Sequence, residues 1–112
     1  MAEILNWQDG VSRVVNNRGL YAKLLGRFCA SEKDAASRIA EALNASDMEK
    51  ASHLTHSLKG TAANLGAEAL SQAALELESF VKAGGNGDSA PLLAELQRIL
   101  DETLQAMADF KP

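Results

Sequence analysis

The 112-residue chain carries a formal net charge of -4 and 46% hydrophobic residues, enough for one domain with a modest core. An acidic balance, with a pI near 5.1, disfavours nucleic acid or an anionic membrane as the main partner. Twenty residues are Ala and sixteen are Leu, against ten Val, Ile and Thr together, a bias toward helix and away from a β-sandwich. The single cysteine, Cys29, cannot form an internal disulfide and fits a reducing compartment. Residues 1–7 lack the pattern of a signal peptide, and no apolar run approaches the ~18 residues of a spanning helix. The expected location is therefore the cytoplasm, with no membrane contact by this chain. A nucleotide-binding catalytic domain would need more chain than this.

In chain order, residues 7–15 form a weak helix candidate interrupted by Gly10. Over 18–30, Leu20, Tyr21, Leu24, Leu25 and Phe28 recur at helical spacing. Ser31 and Asp34 read as a capping box that opens a helix over about 32–45, with Ala35, Ala36, Ile39, Ala40 and Leu43 on its apolar face. Ser46 and Glu49 read as a second box, opening a helix over 47–65 that Gly66 stops. A further helix spans 67–83, with Leu70, Ala73, Ala74, Leu77, Phe80 and Val81 on one side. After the loop Gly84-Gly85-Asn86-Gly87, Asp88 or Ser89 caps a last helix over 89–109. Pro91 sits in its first turn, where a missing N–H costs nothing. Short links make neighbours antiparallel. The expected fold is all-α: an antiparallel up-and-down four-helix bundle with one or two additional short N-terminal helices packed at one end, all within one domain over 1–112.

Both histidines fall on the helix over 47–65. Its core stripe is Met48, Ala51, Leu54, Thr55, Leu58, Ala62 and Leu65. At 100° per residue, His56 lies about 200° from Leu54 and Leu58, on the opposite face. The plain reading is a solvated surface histidine. Two neighbours argue for more. Gly60 is one turn on, although Gly costs about 1 kcal/mol against Ala inside a helix. Lys59 sets an ammonium beside the imidazole. Both make sense where the ring must be approached closely and then carry an anion.

Other chemistries fit less well. Glu49, His53 and His56 could ligate a metal, but two histidines three apart with one carboxylate are a weak signal, and Lys59 repels a cation. Ser52 and Ser57 lack the orienting carboxylate and oxyanion site of a nucleophilic hydrolase. The loop at 84–88 lacks the Lys-Ser/Thr of a phosphate loop. Cys29 reads as a small core residue. Trp7, Tyr21, Phe28, Phe80 and Phe110 read as core or bundle-end residues.

His56-Ser57-Leu58-Lys59-Gly60, continuing Thr61-Ala62-Ala63-Asn64-Leu65-Gly66-Ala67, resembles the signature of the histidine-containing phosphotransfer (HPt) domain. Leu70 and Leu75-Glu76-Leu77-Glu78 are similar to that family's next helix. Gly19 to Phe28 is similar to the segment preceding it in HPt domains of hybrid sensor kinases. No motif position departs from the pattern, and the likeness spans nearly the whole chain. The resemblance implies that His56 accepts a phosphoryl group from a receiver-domain phospho-aspartate and passes it to another receiver. Lys59 would pair with the phosphoryl, and Gly60 would give access. It implies response-regulator receiver domains, and a hybrid sensor histidine kinase as a candidate, for partners. It also implies a monomer, no ATP site, no cofactor in this chain, and Mg²⁺ in the partner's acidic pocket. A small transient interface is expected around His56, with His53, Gly60, Ala63 and Asn64 in it and the helix over 18–30 at its edge. The alternative is a helical interaction module that binds receiver or kinase domains without being phosphorylated.

Overall fold

The computed structural model describes residues 3–112; of the N-terminal stretch read for a signal peptide, Met1 and Ala2 lie outside it. Six helices follow one another: α1 (Trp7–Ser12), α2 (Arg18–Glu32), α3 (Ala35–Asn44), α4 (Met48–Asn64), α5 (Glu68–Lys82) and α6 (Ala90–Asp109). Their apolar faces meet in a core whose fully buried members include Tyr21, Leu25, Ile39, Leu58, Leu70, Leu77, Leu96 and Leu100. Each such side chain contributes about 1.5–3 kcal/mol on burial. Buried Thr55 and Thr103 turn their hydroxyls onto the Ala51 and Ile99 carbonyls, at 2.9 and 2.7 Å, so neither leaves an orphaned polar group in the core.

The four-helix bundle expected from the sequence is present as α3 to α6, with α4 and α5 sharing its most extensive interface. α2 does more than close one end. It runs along α6 and buries Tyr21, Leu25 and Phe28 in the same core. α1 continues through Gly10 rather than breaking there.

Two predicted boundaries shift. Ser31 does not open α3: α2 runs on to Glu32, and the Ser31 hydroxyl turns back to the Phe28 carbonyl at 3.4 Å. Asp34 is the N-cap of α3 and makes no side-chain cap bond. Arg38 fixes the corner instead, donating to the Ser31 carbonyl at 2.9 Å and the Glu32 carboxylate at 2.8 Å. Ser46 does not cap α4. It takes a left-handed φ of 57° at the end of α3, and Asp47 caps α4 by accepting from Lys50 N at 3.0 Å.

The far end of α4 closes as predicted. Gly66 takes φ +83°. Ala67 N donates to the Ala62 carbonyl at 2.9 Å and Gly66 N to the Ala63 carbonyl at 3.1 Å, a Schellman closure that satisfies the helix's last carbonyls. The α1 end is stitched onto this turn. Asn6 N donates to the Gly66 carbonyl at 2.8 Å, and the buried Tyr21 hydroxyl donates to the Leu65 carbonyl at 2.6 Å. Phe110 stacks edge-on against Tyr21, with ring centroids 5.0 Å apart, and tilted against Trp7 at 5.8 Å. Arg18 covers Trp7 at 4.7 Å. The chain's aromatic residues thus do pack at a bundle end, apart from Phe28 in the main core and half-buried Phe80 against the smaller cluster with Val81.

Candidate functional site

Helical phase decides what α4 shows to solvent. Ala51, Thr55, Leu58 and Ala62 are buried, which rotates His53, His56, Gly60 and Asn64 outward; all four are exposed, whereas Ala63 is half-buried. The His56 side chain is 68% exposed. At Gly60 an added Cβ would meet nothing within 4 Å. The gap beside His56 is therefore open space, not a close helix contact.

The residue that sequence reasoning missed is Glu78. It lies on α5 among Ala74, Leu77 and Val81, and its side chain is only 3% exposed. One carboxylate oxygen, Oε1, accepts from Lys59 Nζ at 2.7 Å. The other, Oε2, lies 2.8 Å from His56 Nδ1 and 3.6 Å from Lys82 Nζ. A buried carboxylate is costly without partners; here three nitrogens surround it. The Lys59 hydrogen bond, helped by that of His56 and by the nearby charges, holds the Glu78 carboxyl below its ordinary range against the opposing effect of burial. Glu78 is therefore an anion at neutral pH. An anion has no proton to give, so the short contact to His56 must be Nδ1–H donating to Oε2. That fixes the tautomer, and it leaves the Nε2 lone pair free. The readable signal was a carboxylate at 78, four residues after Ala74, inside an apolar stripe.

Lys59 is in the predicted place but is not a free surface ammonium. It is mostly covered and committed to Glu78. A further polar tie holds this register: Ser71 on α5 donates its hydroxyl to the Lys59 carbonyl at 3.0 Å. The cleft beside the imidazole, about 480 Å³, is lined by Glu49, Ser52, His53, His56, Glu78 and Lys82. Asn64 belongs to a separate groove of about 380 Å³ between α2 and α4, with Leu24, Arg27, Phe28 and Thr61. The two lie on either side of Gly60 along α4. The metal alternative gains no support: among the described residues, no three His, Cys, Asp or Glu side chains are grouped to hold an ion. Cys29 is half-buried, its Sγ 3.9 Å from Met107 Sδ, as a packing residue. No helix of the described residues is long and apolar enough to cross a membrane.

Comparison with known proteins agrees with the sequence resemblance. A family model described as Hpt domain matches residues 23–106. Among solved structures, the chain is similar to histidine-containing phosphotransfer protein B (HptB) from Pseudomonas aeruginosa PAO1. The TM-score is 0.83 at 23% identity, over 99% of this chain and 100% of that one. A comparison with curated proteins finds no match.

Proposed function

The chain belongs to the Hpt-domain family, whose activity is histidine phosphotransfer in two-component signalling, and on that premise we propose that His56 is the phosphoryl carrier between two receiver domains. The observation that carries this reading is an exposed imidazole, at the motif position, whose Nδ1 is held 2.8 Å from a buried carboxylate.

The step balances without an outside co-reactant. The Nε2 lone pair forms a P–N bond to the phosphorus of an aspartyl phosphate. The P–O bond to the aspartate breaks, and its electron pair leaves on the aspartate oxygen. Nδ1 keeps its proton, so the ring becomes a phosphorylated imidazolium. Its positive charge faces the Glu78 carboxylate, as an aspartate supports an imidazolium in hydrolytic triads. Delivery to the second receiver is the reverse: the P–N bond breaks, its pair returns to Nε2, and a P–O bond forms. Exposure lets the receiver's aspartate reach the ring, and open space at Gly60 clears its approach. Transition-state charge stabilisation by an acidic, Mg²⁺-containing pocket belongs to the receiver. His53, Ala63 and Asn64, with the α2–α4 groove, form the contact surface on this reading.

Incubation with a receiver domain carrying labelled phosphoryl tests it. Wild type and His53→Gln should take up label, and His56→Gln should take up none while keeping its helicity. Label that survives in His56→Gln and disappears in His53→Gln would sink the assignment. Normal receiver binding with no label on any form would favour the interaction-module alternative.

A further inference from the structure

Two lysines contact Glu78, and they do so on different terms. Lys59 is 28% exposed and sits at hydrogen-bond distance from Oε1. Lys82 is 64% exposed and stands 3.6 Å from Oε2, beyond a hydrogen bond and on a flexible four-carbon stem. Pulling Lys59 away would strip a buried carboxylate of its closest cation, which is strongly unfavourable. Pulling Lys82 away breaks a loose, solvated pair worth little. The walls of the cleft beside the imidazole separate them again: Lys82 lines it with His56, and Lys59 does not.

Arrival of a phosphoryl group changes the local charge by close to -2. It places that charge near two carboxylates, Glu78 and Glu49. Lys59 is already matched to Glu78. The remaining cation within the cleft is Lys82, and it shares Oε2 with the His56 ring. We propose that Lys82 is the mobile counter-ion of the phosphoryl group on His56, swinging off Glu78 when the ring is loaded, while Lys59 stays in place to hold Glu78. This rests on the reading of His56 as phosphoryl carrier. The motif lysine, on this account, is a positioning residue, and the lysine that ends the next helix does the pairing.

The competing explanation is that Lys82 only complements the C-terminal end of the α5 dipole. A readout at the phosphorus separates the two. The whole protein is loaded chemically with potassium phosphoramidate, and the second ionisation of the phosphohistidine is followed by ³¹P NMR at low salt. His53, Glu49 and Glu78 share the cleft with this group, Lys59 sits behind it on Glu78 Oε1, and all four remain unchanged across the Lys82 series. Lys82→Ala should raise the phosphoryl pKa by roughly half a unit, the scale of an exposed ion pair. Lys82→Glu should raise it further, Lys82→Arg should restore it, and added salt should shrink the differences. Circular dichroism should show all of them folded, since the side chain is mostly in water.

An unchanged phosphoryl pKa in Lys82→Ala and Lys82→Glu would overturn the proposal, and so would a larger shift in Lys59→Ala than in Lys82→Ala. Failure of the carrier reading is visible separately, as chemical loading of His56 that a phosphorylated receiver never reproduces.

Discussion

Two glycines six residues apart, one inside α4 and one just past its end, show opposite uses of the same missing side chain. At Gly60 the space a Cβ would fill is empty, and the backbone is ordinary helix. At Gly66 the φ is +83°, and a Cβ would collide with the Asn6 carbonyl oxygen. The first glycine costs the helix stability and leaves open space one turn from His56, which on the proposed function clears a receiver's approach. The second is required, because the turn after α4 must be left-handed and α1 must lie against it. The regions around them differ in kind. The His56 cleft is polar, open and built from charges on α4 and α5. The Gly66 end is mostly apolar, with buried Tyr21 and half-buried Trp7 and Phe110 against it, and is built from α1, α2 and the C-terminus. The proposed site is an exposed rim of the α4–α5 interface, and the closed turn lies about two to three turns further along the chain.

The sharpest break in this contrast comes from placing Ala at both glycines. Gly66→Ala should lose more than about 2 kcal/mol, since left-handed backbone costs a non-glycine residue about 1–2 kcal/mol and the Asn6 contact must also open. Urea denaturation measures it. A loss below 1 kcal/mol would mean that α1 is not held there.

Next in size is the hydroxyl that ties α2 to the same turn. Tyr21→Phe should cost about 1–2 kcal/mol, because it leaves the Leu65 carbonyl without its buried donor, and should leave receiver labelling of His56 intact. The single tyrosine reports on this end directly. Burial first, then the nearby Asp9 charge, push its phenol up to about 12 from 10.0. A folded pKa above the unfolded one favours the native state at lower pH, so this stability is full below pH 10 and lost as pH rises toward 12. The tyrosinate absorbance should therefore appear late in the folded protein and near pH 10 in denaturant. A folded midpoint near 10 would show that the phenol is open to water.

The site end should respond to acid rather than base. Glu78 has its folded pKa below the ordinary 4.5, so the unfolded chain binds its proton first. Its contribution is present above pH 4.5 and is lost as pH falls through the lower folded value. The stability gap between wild type and Glu78→Gln should narrow in that window, and a gap that widens on acidification would reverse the assigned charge state.

The smallest effect belongs to Gly60. Gly60→Ala should leave stability equal or raise it by up to about 1 kcal/mol, and Gly60→Gln should fold normally yet transfer poorly, because its side chain fills the receiver's path. A destabilised Gly60→Ala would mean a packing role and would erase the difference between the two glycines.

Helices and their faces were legible because they are written in local spacing. The stripe of Ala51, Thr55, Leu58 and Ala62 already turns His56 outward, and the motif around it names the chemistry. Local pattern puts the caps at Ser31 and Ser46, one to three residues before Asp34 and Asp47, because several polar residues compete at each corner. A contact across the corner, such as Arg38 reaching back over Ser31 and Glu32, decides among them. The pattern of α2 does not show which helix it will face, so spacing alone places it at the bundle end and not along α6.

The sequence by itself determined the helical class, the exposure of His56 and the placement of Lys59 and Gly60 on its flank, since all of these follow from 100° per residue along one segment. Tertiary structure alone decided the rest of the site. Glu78 reaches His56 and Lys59 across the α4–α5 interface, from 22 and 19 residues away. That pairing depends on how far one helix slides along the other, a quantity set by the fit of Ala62, Leu70, Ala74 and Leu77 in the core and not by any local pattern. The same register covers most of Lys59 and puts Lys82 into the cleft, because a buried carboxylate draws the nearest cation into a hydrogen bond and holds the more distant, exposed one only loosely.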